Sequence, residues 1–554
     1  MTDTETPVAT GESNESISEQ VYTNSEPENS GDSTAIDAKF STLQEEQSAY
    51  LPDVQPSQAV TGSSDSSTEV ATAPELTEKL ILLKSTAEAE LWHDLEGEAY
   101  ATIVLGNKRS NVKLRSREFK SWMCCKAYTI FSCTPSSQSI DAVLRMLEGK
   151  AKFECEHFEP QVRIAGDSNT TFLHLADEPG TIIKIDAAGI HDASDANDAS
   201  IRFLLKLGMR QLPNPAIPKS LEESRAILQE LRGFCNLKDD GEWLLYLVSL
   251  LSGFRPTGPF VVVVVVGEQG SAKSTLCKVF RRLVDPSKAP LRSAPREERD
   301  LWIAASNGWI VAFDNVSRIS ADLSDAICRL ATGGGNSYRT LYENDSETLF
   351  QCQRLVLLNT IDDLTLRGDL VDRAIQLTCR RIDNTQRLTE EEFWSEFEKR
   401  EAEFLGALLI VLSATLLKLP AIKLDTAPRM ADFARFGVAV EQSLDLPPGT
   451  FITAYCVNRK ALATVALENQ FAELLLRLDL PLEEKPSDLW QKLHDLALFQ
   501  DGKIPRWFPA NGQSLSSKLR RDAPLFRQRG IEVDFSRADN SRKISLKRMS
   551  IEGL

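Results

Sequence analysis

The most regular hydrophobic pattern in the chain is a run of six valines at residues 261–266, followed at once by the segment GEQGSAKST. A continuous β-branched run is typical of a central parallel strand that is covered on both faces. From Lys273 to Val284 apolar residues recur at helical spacing, and Pro286 follows them. The pattern predicts a strand, a Gly-containing loop and a helix in that order.

Two further apolar runs, at residues 309–313 and 355–358, predict strands that end in Asp314 and Asn359. In open α/β sheets the carboxyl ends of the strands carry the binding site. We therefore expect both side chains to lie beside the Gly-containing loop. Either residue alone is equally well explained as a turn residue, but the two together, in this order after the loop, favour a site.

The region before the valine run shows a weaker pattern of short mixed elements. Between residues 77 and 235 the spacing predicts strands at 99–105 and 171–175 and a helix that starts at 116–125. We interpret this region as an α/β domain whose role the sequence does not reveal. The prolines at its end predict a linker or a pinned loop; they are Pro213, Pro215 and Pro218.

After residue 385 the periodicity becomes helical. Residues 390–419 and 429–444 predict helices that suit a lid over a nucleotide, with core packing as the default explanation of their aromatic residues. From Asp488 the order helix, helix and hairpin resembles a winged helix. The predicted elements are helices at 489–498 and 514–521 and strands at 531–536 and 543–547.

Composition adds the number of domains and the nature of the N-terminal tail. A chain of 554 residues with 42% hydrophobic residues exceeds a single core. Residues 1–76 are rich in Ser, Thr, Glu and Asp, so they cannot bury enough apolar surface to become ordered. We expect a disordered acidic tail at 1–76, an α/β domain at 77–235, a P-loop ATPase core at 236–385, a helical lid at 386–480 and a winged-helix-like basic domain at 481–554.

Charge and cysteine usage narrow the functional classes only a little. Much of the net charge of −17 comes from the tail, where Lys39 is the only base, so the charge neither supports nor excludes nucleic acid. Ten cysteines without a C-x-x-C pair indicate reduced thiols. The start of the chain does not resemble a signal peptide, and the apolar stretch at 404–419 is interpreted as a buried helix. We expect a cytoplasmic protein without a membrane span.

The strand, loop and helix around residue 270 are the context that a phosphate-binding loop requires. Backbone N–H groups of residues 270–273 would face the phosphates of ATP, and Lys273 would neutralise the β and γ oxygens. Ala272 replaces the second glycine of G-x-x-x-x-G-K-[ST], and Ala tolerates positive φ less well than Gly. A chance Gly-rich turn is the alternative. The predicted nucleotide-binding residues are Gly267, Gly270, Ser271, Ala272, Lys273, Ser274 and Thr275.

The expected cofactor is Mg²⁺. Ser274 would hold it directly, and Asp314 would bind it through water. Asn359 would position the attacking water near the γ-phosphate.

The segments GEQGSAKST, VAFDN, LATGGGNSYRTLYEN, RLVLLNTIDD and DLVDRAIQL resemble the superfamily-three helicases and the related poxvirus-type and phage primase-helicases, including many ATP-binding proteins of bacterial mobile elements. The resemblance covers about residues 240–385 and implies an AAA+-like P-loop ATPase. It implies that Lys273 and Ser274 belong to Walker A. Asp314 would be the Walker B aspartate, Asn359 the sensor-one asparagine, and Arg373 an arginine finger offered to a neighbouring subunit. Such enzymes form homo-oligomeric rings, usually hexamers.

Two features depart from that family. Asn315 follows Asp314 where the family has an acid that serves as general base, and an amide cannot take a proton. Hydrolysis would then be slow or would use another carboxylate, such as Asp300 or Glu298. The predicted hairpin, with strands at 338–342 and 348–352, enters the ring pore in the helicases.

The tip of that predicted hairpin carries Glu343 and Asp345, which would repel phosphates. Any DNA contact there would come from Arg339 or from stacking by Tyr342. The acidic tip weakens the helicase interpretation specifically.

The C-terminal region concentrates basic residues and predicts a DNA contact, with protein binding as the alternative. The bases are Lys518, Arg520, Arg521, Arg527, Arg529, Arg537, Arg542, Lys543, Lys547 and Arg548. In the predicted lid, Arg429 is a candidate second sensor of the γ-phosphate, although a surface arginine is the more common explanation.

The sequence therefore predicts a Mg²⁺-dependent, oligomeric ATPase that acts on DNA and resembles a helicase. A nucleotide-gated binding or remodelling switch that never moves along DNA is the second hypothesis, favoured by Asn315 and the acidic hairpin tip. A scaffold protein with a vestigial loop is the third.

Overall fold

The structure is a computed structural model, and its described residues are 77–548 apart from 107, 195–200, 335, 340–346, 351, 361–366, 384, 386, 468–469, 499–507, 529 and 539–540. The tail predicted at 1–76 and the predicted hairpin tip lie outside the described residues.

The described strands are β1 Glu90–His93, β2 Ala99–Leu105, β3 Lys108–Lys113, β4 Pro160–Gln161, β5 Ile164–Gly166, β6 Thr171–His174, β7 Ile182–Asp186, β8 Gly189–Asp192, β9 Arg202–Phe203, β10 Val262–Val266, β11 Arg292–Ser293, β12 Ile310–Asp314, β13 Asn336–Arg339, β14 Glu347–Phe350, β15 Leu355–Asn359, β16 Ala374–Thr378, β17 Leu482–Glu484, β18 Ile531–Ala538 and β19 Ser541–Arg548. The described α-helices are α1 Glu78–Ser85, α2 Arg117–Phe131, α3 Ser137–Glu154, α4 Leu221–Gly233, α5 Asp240–Ser252, α6 Lys273–Val284, α7 Glu298–Ser306, α8 Ala321–Thr332, α9 Gly368–Val371, α10 Glu390–Lys418, α11 Ala431–Ser443, α12 Thr450–Leu467, α13 Gln470–Leu476, α14 Pro486–Leu498 and α15 Gly512–Gln528.

A five-stranded sheet organises the central part of the described chain, in the order β11, β12, β15, β10 and β16. All its neighbouring strands are parallel. The three strands predicted from the apolar runs are confirmed as β10, β12 and β15, and the predicted helix after the loop is confirmed as α6. Because the strands are parallel, their carboxyl ends meet at one edge, where Val265 lies opposite Asn359 and Val266 opposite Thr378.

The valine strand is buried on both faces, as its composition predicts. Val263 and Val265 join a core that includes α5, α6 and α10, whereas Val262 and Val264 join a second core with α7 and α8. These four valines are at most 2% exposed, and burying each side chain stabilises the fold by about 1.5–3 kcal/mol. The strand is thereby fixed between two helical layers, and so is the loop that follows it.

Residues before 160 form a small α/β layer with a core of its own. Strands β1, β2 and β3 form an antiparallel sheet against α1, α2 and α3, around Leu82, Phe119 and Leu144. The predicted strand at 99–105 is confirmed as β2, and the predicted helix begins after its N-cap, Ser116. The predicted domain boundaries stay predictions.

The next sheet, β5 to β8, packs into the main core. It is antiparallel and lies against α10, where the Ser413 hydroxyl donates to the Asp186 carbonyl at 2.6 Å. Arg163, which is fully buried, places its Nε 3.4 Å from Asp285 at the end of α6. Asp285 also accepts from the backbone N–H groups of Trp309 and Ile310. The carboxylate therefore joins this sheet to the central one.

The proline-containing segment before α4 is a pinned loop, one of the two predicted alternatives. The backbone N–H of Ala216 donates to the carbonyl of Ala402 on α10 at 2.9 Å. A Cβ at Gly406 would lie 1.9 Å from the Ala216 carbonyl oxygen. Only glycine therefore allows the segment to lie against α10.

Helix α10 is the longest described helix and confirms the prediction of a buried apolar helix. Thr389 caps it in a reciprocal capping box with Glu392. Residues Glu390–Ala421 are long and apolar enough to cross a membrane, but 61% of their most apolar window is buried inside the fold. Those side chains pack against protein, so the length of the helix is weak support for a membrane span.

The C-terminal order helix, helix and hairpin is confirmed as α14, α15 and the β18–β19 pair. A short strand that the sequence did not predict, β17, completes a three-stranded antiparallel sheet by pairing with β19. The identity of this C-terminal module as a winged helix stays a prediction. The hairpin predicted in the central region is present as β13 and β14, which pair from Asn336 and Phe350 to Arg339 and Glu347.

Candidate functional site

The loop between β10 and α6 has a backbone that its glycines permit. Gly267 has φ 149° and Gly270 has φ 77°, conformations that L side chains rarely adopt. A Cβ at Gly267 would lie 2.7 Å from both the Cys379 carbonyl oxygen and the Ser271 hydroxyl. The loop therefore curls tightly at the carboxyl edge of the sheet, directly before the first turn of α6.

Ala272 is the N-cap of α6 and lies in the left-handed region, with φ 63° and ψ 27°. The sequence departs from the phosphate-loop pattern at this residue, yet the backbone has the conformation for which glycine is preferred. For an L residue that conformation costs about 1–2 kcal/mol. The loop geometry is thus retained with strain at Ala272.

The Lys273 side chain lies within the loop and is only 7% exposed. Its ammonium donates to the carbonyls of Gly267 at 2.7 Å and Glu268 at 2.8 Å. The positive charge is therefore placed at the helix N-terminus, where the dipole of α6 also favours an anion.

Asp314 and Asn359 lie beside Ser274 in the first turn of α6, as the strand ends predicted. The Ser274 hydroxyl donates to Asp314 Oδ1 at 3.2 Å, and Asn359 Nδ2 donates to the Ser274 oxygen at 2.9 Å. Asn359 Nδ2 also donates to Asp314 Oδ1. Residues from three different elements, separated in sequence, form one hydrogen-bonded cluster beside Lys273.

Two polar atoms of the site have no hydrogen-bond partner within the described residues. They are the Ser271 hydroxyl oxygen and Asn359 Oδ1, and both residues are 1% exposed. Buried polar atoms are nearly always paired in native proteins, so an orphaned pair at one edge is typical of a ligand site.

Asn236 braces the loop, a role that the sequence analysis missed. Its Nδ2 donates to the Ser271 carbonyl at 3.0 Å and to the Arg380 carbonyl at 2.6 Å. It therefore ties the loop to the segment after β16. An isolated Asn between two helices gives no periodic or motif signal, so nothing in the sequence marked it.

Arg373 lies at the opposite edge of the sheet from the loop. It directly precedes β16, whose first residue pairs with Val262, so it is separated from the loop by the strand length, roughly 15 Å. Its side chain is 13% exposed, and Nη1 donates to the Asp369 carboxylate at 3.0 Å. The structure does not bring Arg373 to the cluster of its own chain.

Arg429 also lies away from the loop. Its Nη2 is 4.0 Å from the Asp369 carboxylate, and its side chain is 51% exposed. Because Asp369 lies at the amino edge of the sheet, the surface alternative describes Arg429 better than a sensor of the same chain's nucleotide.

Asn315 lies beside the cluster at the position of the usual general base, whereas the two carboxylates considered in its place, Glu298 and Asp300, belong to α7. Asn315 is exposed, with φ 54°, and its N–H donates to Asp314 Oδ1 at 3.2 Å. The Glu298 carboxylate is engaged by Arg329 and by Trp302 Nε1. Asp300 is an exposed residue of α7.

The thiols beside the loop are not nucleophiles. Burial raises the pKa of the Cys379 thiol to about 12, and burial also raises the pKa of the Cys277 thiol. Both thiols are therefore protonated at neutral pH and act as packing groups. The polar groups available for chemistry at this edge are therefore the hydroxyl, carboxylate, amide and ammonium groups described above.

A concavity of about 680 Å³ lies in the C-terminal module. The first residues of α14 and α15 line it, together with residues 535–536 of β18 and 542–544 of β19. Among the described residues that line it there is no Asp or Glu, but the Lys543 ammonium lies 3.2 Å from Glu483 Oε1 of β17. Its cations are Lys485, Arg520, Arg542 and Lys543, and Arg520 lies 4.5 Å over the Phe535 ring.

Fold and site together define a mixed α/β protein with a parallel sheet, whose carboxyl edge carries a glycine-containing loop and a polar cluster. Residues 228–458 match the family model of the actinomycete integrative conjugative element replication protein. Residues 471–552 match the model of the C-terminal domain of the same replication protein family. Over these two regions the chain is therefore similar to mobile-element replication proteins.

No curated protein matches the chain. Two solved structures of the NrS-1 C-terminal region in its A-form apo state are 14% and 13% identical, with a TM-score of 0.36 each. They cover 85% and 86% of this chain, and the matches span 99% and 100% of theirs. Similarity at that score carries no argument about this protein.

Proposed function

We propose that the chain is a Mg²⁺-dependent ATPase that acts on DNA as a replication protein. The observation that carries the proposal is the cluster of Ser274, Asp314 and Asn359 at the first turn of α6, next to the buried ammonium of Lys273. A hydroxyl, a carboxylate, an amide and a cation at a helix N-terminus are the groups that phosphoryl transfer uses.

The loop fits a chain of phosphates. Its N–H groups from Gly270 to Lys273 lie at the positive end of a 12-residue helix. The bend at Gly267 leaves no room for a Cβ, so the backbone itself forms the cradle. Lys273 would exchange its two loop carbonyls for phosphate oxygens, and the orphaned Asn359 Oδ1 would accept from the attacking water.

Ser274 and Asp314 would hold Mg²⁺, since one hydroxyl and one carboxylate beside phosphates are a donor set that this ion accepts. When bound, the ion would neutralise charge on the phosphate oxygens. The pair fits this role because their oxygens already lie 3.2 Å apart.

Arg373 is proposed to serve a neighbouring subunit, as the helicase resemblance implies. Its distance from its own loop suits that role, but the arginine would have to exchange Asp369 for a phosphate. The homo-oligomeric ring rests on this proposal.

DNA contact is proposed for the C-terminal module. The match of residues 471–552 to a replication protein domain supports a DNA-related function. The cationic concavity adds a surface on which phosphates can neutralise Arg520 and Arg542, the two lining arginines. The winged-helix interpretation belongs to this proposal.

A nucleotide-gated switch is the second candidate, favoured by one observation. Asn315 occupies the position of the usual base, and the carboxylate of Glu298 is already paired. Slow turnover with ATP-dependent assembly would follow from such a site.

The test is ATP turnover by the full chain with no DNA, with single strands and with duplex, alongside its oligomer mass with and without nucleotide. Lys273→Ala should abolish turnover, while Lys288→Ala, an exposed lysine beyond the far end of α6, should not. Wild-type turnover in Lys273→Ala would contradict the assignment of the nucleotide site to this loop. ATP-driven strand displacement would support a helicase, whereas nucleotide-dependent assembly without displacement would support the switch.

A further inference from the structure

An arginine that the sequence analysis did not single out lies against the phosphate loop. Arg387 belongs to the segment between β16 and α10, and its side chain is exposed. A Cβ built at Gly270 would lie 3.0 Å from Arg387 Nη2, 3.6 Å from Cζ and 3.7 Å from Nη1. The end of the guanidinium, with both terminal nitrogens, therefore lies close to the loop at Gly270.

The lack of a side chain at Gly270 favours this approach. A Cβ at residue 270 would lie closer to Arg387 Nη2 than an ordinary van der Waals contact, so the guanidinium would have to shift by a few tenths of an ångström. Gly270 also has φ 77°. Glycine at this position thus serves both the bend of the loop and the approach of the guanidinium.

Both ends of the segment that carries Arg387 are fixed to elements around the loop. At one end the Cys379 N–H donates to the carbonyl of Val266, the last residue of β10, at 2.9 Å. At the other end Thr389 caps α10, and Glu390 pairs with Lys278 of α6 at 3.2 Å. These contacts bring both ends of the segment that carries Arg387 close to the loop and to α6.

Within the described residues Arg387 has no hydrogen bond and no acidic partner. Nearby arginines differ, since Arg282 pairs with Glu398 and Arg380 donates to the Lys238 carbonyl. Arg387 and Lys273 thus place two cations at one loop, and an oxyanion is the ligand class that two such cations favour. A guanidinium binds phosphate through two parallel hydrogen bonds.

We propose that Arg387 is a second cationic contact of the phosphate chain, contributed by the same subunit that contributes Lys273. The ligand class is a nucleoside di- or triphosphate. The proposal rests on the function proposed above, and it assigns to Arg387 the contact that Arg429 does not make.

Equilibrium titrations with fluorescently labelled ATP and ADP test the proposal in the full-length protein. Arg387→Ala should weaken both affinities about tenfold or more, because a charge-assisted hydrogen bond to phosphate is lost. Arg387→Lys should recover part of the affinity, since it restores the charge without the planar fork. Arg381→Ala is the matched control from the same segment and should change affinity less than about twofold.

The outcomes separate this inference from the proposed function. If the wild-type protein binds neither nucleotide, the proposed function fails. If it binds and Lys273→Ala abolishes binding, but Arg387→Ala binds like the wild type, only the role of Arg387 is overturned. Thermal unfolding of each variant shows whether an affinity loss reflects the contact, because an exposed side chain should leave the melting temperature unchanged.

Discussion

At the residue scale, the left-handed backbone at Ala272 is a point of stored strain. Replacing Ala272 by glycine should raise the free energy of unfolding by up to about 1 kcal/mol, because glycine adopts positive φ without a Cβ penalty. Urea denaturation measures the change. Ala461→Gly, at an exposed position inside α12, is the control and should destabilise by about 0.5–1 kcal/mol. Equal losses in both variants would show that the strain at Ala272 is absent.

The residues around the loop show which parts of the site the sequence could predict and which it could not. Lys273 and Ser274 were predicted from the pattern of strand, Gly-containing loop and helix, and Asp314 and Asn359 because the strand ends of a parallel sheet meet at one edge. The contact of Arg387 with Gly270 was not predictable, since it depends on how a loop without periodicity crosses the sheet. Such contacts are set by tertiary packing.

At the element scale, the close approach of the proline-containing loop to α10 depends on one glycine. Gly406→Ala should lower the free energy of unfolding by at least about 1–3 kcal/mol, because its Cβ would overlap the Ala216 carbonyl. Gly149→Ala on α3 is the matched control. Its Cβ would meet nothing within 4 Å, so the gain in helix propensity should stabilise by about 0.5–1 kcal/mol. Chemical denaturation would contradict the account if both variants behaved alike.

The periodicity of apolar residues predicted which segments are helices and strands more reliably than it predicted how these elements pack together. The valine strand, α6 and the two C-terminal helices are where the pattern placed them, because each buries one stripe or both faces. Strand β17 was missed because three residues carry no period. The sequence also did not predict that β1–β3 and β5–β8 form two separate sheets. A hydrophobic pattern shows which face of a strand is buried, but it does not show which other element covers that face.

The C-terminal concavity makes a prediction about salt. Arg542→Ala should weaken DNA binding at every sequence and reduce the slope of log affinity against log salt by about 1, because one phosphate contact is lost. Fluorescence anisotropy at several salt concentrations measures both. Arg477→Ala, an exposed arginine outside the concavity, should leave the slope unchanged. An unchanged slope for Arg542→Ala would remove this surface from the DNA proposal.

At the scale of the whole molecule, Asp285 at the end of α6 connects that helix to strand β12 and to Arg163, which directly precedes β5. It lies 3.1 Å from Arg281 and 3.4 Å from Arg163 and is 2% exposed. Burial alone would raise the pKa of its carboxyl, but the two guanidinium groups and two backbone N–H groups hold that pKa below its usual value. The charge is therefore kept in the native state.

Asp285→Asn should lower the free energy of unfolding by about 3–5 kcal/mol at neutral pH, because two buried arginines lose their counter-charge. The stabilising effect of a lowered carboxyl pKa is present above the unfolded value of about 4 and is lost as pH falls. The difference between wild type and variant should therefore narrow only below about pH 4. Asp141→Asn, at an exposed ion pair 3.7 Å from Lys120, should change stability by less than about 1 kcal/mol. Equal effects of the two variants in urea would refute the role of Asp285.

The central claim is that the loop after the valine strand grips the phosphates of a nucleotide with Lys273. The most direct measurement is calorimetric titration of ATP, with Mg²⁺, into the wild-type protein and into Lys273→Ala. The account predicts saturable binding to the wild type and at least about tenfold weaker binding to the variant, since a charge-assisted contact is removed. Equal affinity of the two proteins for ATP would contradict it.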